Sequence, residues 1–152
     1  MSVPFSIDAF GKLNSVYIGG GTPLVLEPAQ LRRVLDAAAP FAEGVEYTVE
    51  AGRPDVFTEE KLDLLRDYGV TRICVNPQTF CDETLVRIGR RHTAADVYRA
   101  YEMARRYPFA VNLDLIAGLT GESVDDFCAS VDAAIALAPE NITVHTLCLK
   151  KG

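Results

Sequence analysis

Short apolar runs of strand character alternate with helix-like stretches along the chain, and every such run leads straight into glycine or a polar side chain. The runs are Val16-Tyr17-Ile18 into Gly19-Gly20-Gly21-Thr22-Pro23, Glu46-Tyr47-Thr48-Val49 into Glu50, and Arg72-Ile73-Cys74-Val75 into Asn76, Pro77 and Gln78. Ala110-Val111-Asn112-Leu113 into Asp114 and Asn141-Ile142-Thr143-Val144 into His145 complete the set. Parallel strands need long crossovers, which are usually helices, so the alternation predicts an α/β fold with the order βαβαβαβαβ. A helical solenoid and an all-β sandwich do not suit it.

The intervening stretches carry helix signals. After Pro28, Leu31, Val34, Leu35 and Ala38 fall at helical spacing, with Arg32 and Arg33 on the opposite face. Thr58 is placed to cap a helix bearing Leu62, Leu65 and Tyr68, with Gly69 as its stop. Thr93 with Asp96, and Ser123 with Asp126, read as N-terminal caps. Apolar stripes follow them: Val97, Tyr101 and Ala104 after the first, and Phe127, Val131, Ala134, Ile135 and Ala138 after the second. A short extra turn is expected from Asp82 to Gly89. No Pro/Gly/Ser-rich linker interrupts the 152 residues, so one domain, 1–152, is the expected count.

The carboxyl ends of parallel barrel strands converge on one face, where active sites are built. Gly20 and Gly21 would offer bare backbone groups there, Glu50 and Asp114 carboxylates, and Gln78 an amide. This set suits a ligand with hydroxyls and an ammonium group. Arg90 could pair with a ligand carboxylate through its planar fork. Arg87, Arg90, Arg91 and His92 form the densest basic cluster, which also reads as a solvated helix end. Cys74, Cys81, Cys128 and Cys148 lack the close spacing of a zinc or iron–sulfur loop and read as reduced thiols in packing positions. Cys148 also falls just past the last strand, on the presumed ligand side.

With 49% apolar and 24% charged residues and no apolar run near the roughly 20 needed to span a bilayer, a cytoplasmic protein without membrane attachment is expected. Pro4 and Asp8 interrupt any secretory pattern. A net charge of -6 argues against nucleic acid as a partner.

Five motifs in order resemble the radical SAM core of the oxygen-independent coproporphyrinogen III oxidases: Gly19 to Pro23, Thr48 to Gly52, Asn76 to Phe80, Ile88 to Thr93, and Asn112 to Leu119. The Asn-Pro-Gln-Thr and Thr-Val-His-Thr-Leu wording is nearest to the coproporphyrinogen dehydrogenase branch known as HemZ. The resemblance implies a partial parallel (βα) barrel of about five strands with helices on its outer face. It also implies that Gly20, Gly21, Thr22, Glu50, Gln78, Arg90 and Asp114 contact S-adenosyl-L-methionine, with Arg90 on the methionine carboxylate. Family members oxidatively decarboxylate porphyrinogen propionates to vinyls in heme biosynthesis. A 4Fe–4S cluster cleaves the cofactor and a deoxyadenosyl radical abstracts a substrate hydrogen, which implies a porphyrinogen substrate and an electron donor as partners.

The family's Cys-x-x-x-Cys-x-x-Cys cluster loop has no counterpart among these residues. The chain is therefore expected to be a truncated core without the family's first strand, inactive in isolation. Residues 1–14 then read as the end of a preceding helix, and the strand at Val16 as an open edge. A heme chaperone of the same family, and a noncatalytic module binding a nucleotide or phosphate at Gly19 to Thr22, remain alternatives.

Overall fold

The computed structural model describes residues 13–147. Five strands form one sheet: β1 (Ser15–Ile18), β2 (Glu46–Gly52), β3 (Arg72–Gln78), β4 (Ala110–Ala117) and β5 (Asn141–Thr146). They are hydrogen-bonded in sequence order, each parallel to the next. Helices α1 (Pro28–Ala42), α2 (Glu59–Asp67), α3 (Asp82–Arg87), α4 (Ala94–Ala104) and α5 (Val124–Ala136) fill the crossovers, α3 and α4 sharing one. The chain is an open half-barrel with its helices outside, as the sequence predicted. Residues 1–12, most of the stretch read as the end of a preceding helix, and Cys148 lie outside the described residues.

Side chains alternate across a strand, which gives this sheet two unlike faces. Tyr47, Val49 and Ala51 of β2, Ile73 and Val75 of β3, and Val111, Leu113 and Leu115 of β4 are fully buried under the helices. They pack on Leu31 and Leu35 of α1, Leu62 and Leu65 of α2, Ala100, Tyr101 and Ala104 of α4, and Ala134 of α5. The other set, Thr48, Glu50, Cys74, Asn76, Asn112, Asp114, Thr143 and His145, belongs to the concave face and is polar apart from the cysteine.

The caps form where the sequence placed them. Thr58 accepts from the Lys61 amide, and Thr93 with Asp96 and Ser123 with Asp126 close reciprocal capping boxes. Gly69 and Gly89 adopt the left-handed conformation just past α2 and α3. The apolar stripes are narrower than the spacing suggested. Val34 and Ile135 are exposed because each helix meets the sheet along a thin line and these residues sit on its flank.

The strands run further than the sequence predicted. Glu50, Asn76, Gln78, Asp114 and His145 are strand residues and not loop residues, because the parallel ladder continues past the apolar runs. The thiols also divide: Cys128 is exposed, Cys81 half-buried, and Cys74 buried on the concave side, so packing describes Cys128 poorly.

Tyr47 is fully buried with no partner for its hydroxyl, and that burial pushes the group up to about 12. An unsatisfied buried hydroxyl costs about 1–3 kcal/mol. Tyr47→Phe removes it while keeping the ring, so thermal denaturation is expected to show equal or higher stability. A drop in melting temperature would mean the hydroxyl has a stabilising partner.

Candidate functional site

Glu50 is the centre of the carboxyl end of the sheet. Its Oε1 accepts a hydrogen bond from Asn76 Nδ2 at 3.1 Å, tying β2 to β3. A Cβ built on Gly19 would lie 2.9 Å from Glu50 Oε2 and 2.4 Å from the Tyr17 ring, so only glycine lets the β1 end pass so close to the carboxylate. The same logic applies at Gly52, which has a φ of +79° and whose Cβ would lie 2.6 Å from the Thr22 methyl. Thr22 therefore turns its side chain onto the end of β2. Gly20 and Gly21, between these two close approaches, have φ of +90° and +125° with open space where a side chain would be. Asn76 Oδ1 is buried without a partner. A carboxylate, an unused amide oxygen and exposed backbone thus adjoin one another.

Deeper in the concavity, a groove of about 400 Å³ is lined by Tyr17, Thr48, Cys74, Asn112, Asp114 and His145 among others. Asn112 donates through Nδ2 to Asp114, and its Oδ1 accepts from the Thr143 hydroxyl at 3.0 Å. His145 Nε2 stands 3.9 Å from the other Asp114 oxygen. Burial pushes the Asp114 carboxyl above its usual value, against the opposing pulls of the Asn112 amide and His145. Burial likewise raises the Cys74 thiol, with the Asp114 charge adding to it. The Tyr17 hydroxyl is pushed up to about 12 by burial and then by Cys74 and Glu50. A thiol and a phenol whose ionisation burial disfavours, beside the Asp114 carboxyl, make the groove a set of hydrogen-bond donors and acceptors.

Of the residues singled out from sequence, Gly20, Gly21, Thr22, Glu50 and Asp114 stand at this end of the sheet. Gln78 also does, as a buried residue in the left-handed conformation with φ of 69°, at a break in the β3–β4 register. Arg90 follows α3, half-buried and without an ion pair among the described residues. The basic cluster is not a uniformly solvated helix end. His92 is 2% exposed, its Nε2 donates to the Pro77 carbonyl at 3.2 Å, and burial lowers its pKa. The site residues missed from sequence are Asn76, Asn112 and Tyr17. Their signal was the period-two alternation, which places them on the same face as Glu50 and Asp114.

Glu50, Asn76 and the open glycine backbone fit a ligand bearing hydroxyls and amino groups, as an adenosyl group does, because an unused buried acceptor beside Glu50 needs a donor. An iron–sulfur cluster does not fit: among the described residues no three of His, Cys, Asp and Glu could share a metal ion. Among those residues, too, no helix is long and apolar enough to cross a membrane.

The Radical SAM superfamily matches residues 6–134. The oxygen-independent coproporphyrinogen-III oxidase-like protein HemZ of Bacillus subtilis is 41% identical over 93% of this chain. The heme chaperone HemW of the same organism is 37% identical over 89%. The chain spans only 29% and 37% of the length of these two curated relatives. Among solved structures, the coproporphyrinogen III oxidase HemN from Escherichia coli, a radical SAM enzyme, superposes with a TM-score of 0.79 and 24% identity, covering 90% of this chain and 32% of its own. That likeness is one of fold.

The raised Asp114 carboxyl has a definite consequence for stability. Its folded value lies above the unfolded one, so ionisation disfavours the folded state as pH rises through the carboxylate range. Asp114→Asn is expected to melt higher than the parent at pH 7, with the gap closing below about pH 4, where both forms are neutral. A pH-independent difference between the two melting curves would remove the burial argument.

Proposed function

The chain belongs to the radical SAM superfamily, and from that premise we propose that it is the S-adenosylmethionine-binding core of a coproporphyrinogen dehydrogenase. The observation that carries the reading is the Glu50 carboxylate, braced by Asn76 and lying against the open Gly19 to Gly21 backbone. In this reading Glu50 and Asn76 accept from the hydroxyls and amine of the adenosyl group. Gly20 and Gly21 leave backbone free for the methionine end, and Arg90 pairs with the methionine carboxylate. Asp114 and Gln78 complete the polar wall. S-adenosylmethionine supplies hydrogen-atom-abstracting chemistry when bound and reduced.

The reaction converts a propionate to a vinyl group with loss of carbon dioxide, a proton and two electrons, so an electron acceptor must take part. Because the described residues do not fit an iron–sulfur cluster, this chain alone is expected to bind the cofactor without cleaving it. The free, exposed Cys128 suits a reducing, cytoplasmic setting. A second reading, a heme chaperone with the same cofactor site, is favoured by the heme chaperones among the relatives at 37% identity and below.

Isothermal titration with S-adenosylmethionine tests the shared part. Binding is expected, and Arg90→Ala should weaken it by about 1.5–3 kcal/mol, the range for hydrogen bonds to a charged group. Unchanged affinity in that variant removes the Arg90 role. Binding of a phosphate ester in place of S-adenosylmethionine would overturn the reading in favour of a phosphate-binding module. Tight heme binding without vinyl formation would favour the chaperone.

A further inference from the structure

The turn at Gln78 is held from both sides by buried polar groups that do not line the concave face. Three β3 residues after Val75 are spanned by two on β4, since Val75 pairs with Leu113 and Gln78 with Leu115. This bulge leaves Gln78 at a φ of 69°, a conformation that costs a non-glycine residue free energy and persists only when its surroundings enforce it. On its N-terminal side the Pro77 carbonyl accepts from His92, a buried residue leading into α4. On its C-terminal side Thr79, fully buried, makes a complete set of hydrogen bonds.

The protons in that set can be assigned by counting. The Thr79 hydroxyl donates to Glu122 Oε1 at 2.5 Å and accepts from the Cys81 amide at 3.1 Å. Ser130 Oγ, 3.0 Å away, accepts from the Phe80 amide at 2.9 Å, so its own proton is the one that points to Thr79. Ser130 belongs to α5 and Glu122 to the loop before it, so the β3 end is tied to the β4–α5 connection. Glu122 Oε2 is buried with no partner. Glu122 as a whole is half-buried, and its Oε1 is turned inward onto the Thr79 hydroxyl. Arg87 of α3 donates to the Thr120 and Gly121 carbonyls at 3.3 and 2.8 Å, closing the same brace from outside.

We infer that Thr79, with Ser130 and Glu122 behind it and His92 opposite, positions Gln78 for the ligand bound at the carboxyl end of the sheet. The inference rests on the reading that S-adenosylmethionine occupies that end. Thr79 and its partners touch no ligand; they act through the Gln78 backbone, as positioning residues.

A double-mutant cycle with S-adenosylmethionine in titration calorimetry separates this role from simple stability. Thr79→Val keeps the shape and removes the hydroxyl, and should weaken binding about fivefold, the value of one hydrogen bond. In a Gln78→Ala background the same change should have no effect on affinity, although both variants melt lower. Thr79→Ser should restore binding. If Thr79→Val does not fold, Ser130→Ala enters the same cycle, since it removes one support and leaves the Thr79 to Glu122 bond. An equal loss in both backgrounds, or no loss in either, overturns the positioning role while leaving the binding reading intact. No binding by the parent chain overturns both.

Discussion

Everything in this molecule depends on the alternation of side chains across five parallel strands. One set of positions is apolar and fully covered by helices, as the removal of apolar surface from water requires. The other is free of that demand and carries Glu50, Asn76, Asn112, Asp114, Thr143 and His145. A shift of one residue in any strand would exchange the two sets, so the hydrophobic core fixes the register and the register places the polar side chains. The site is in this sense a consequence of the core.

The strand ends depart from regular pairing at two places, after Glu50 on β2 and after Val75 on β3. Both lie at the carboxyl end, where bulges re-aim side chains. Gly19 and Gly52 make the close approaches that bring the β1 loop onto β2, with the Thr22 side chain packed against Gly52. The polar end of the sheet is therefore a braced structure. Its backbone comes near Glu50 because two positions lack a Cβ, and Gln78 stays in an unfavourable conformation between His92 and Thr79.

Electrostatics inside the concavity are shaped more by dehydration than by charge pairing. Burial is the leading influence on Tyr17, Cys74 and Asp114, raising all three groups. The consequence is a groove of neutral hydrogen-bonding groups beside a carboxylate that ionises reluctantly. Such a surface discriminates ligands by hydrogen-bond pattern, which suits a sugar and an amine better than a simple anion.

The sequence by itself determined the α/β alternation, five strands in order, three capped helices and the convergence of glycine, Glu50 and Asp114 at one end. Those follow from local periodicity and capping chemistry, which act within a few residues. The motif resemblance added the radical SAM fold. Only the tertiary structure decided that the polar residues lie inside the strands, that Val34 and Ile135 face outward, and that Thr22 packs on Gly52. It also revealed His92 as a buried anchor and the tie between Thr79, Glu122 and Ser130. No local pattern marks such pairs, because Thr79 and Ser130 are 51 residues apart and meet only when the sheet and helix are assembled. Periodicity tells a residue which face it occupies; which neighbour it meets there is set by how separate elements pack.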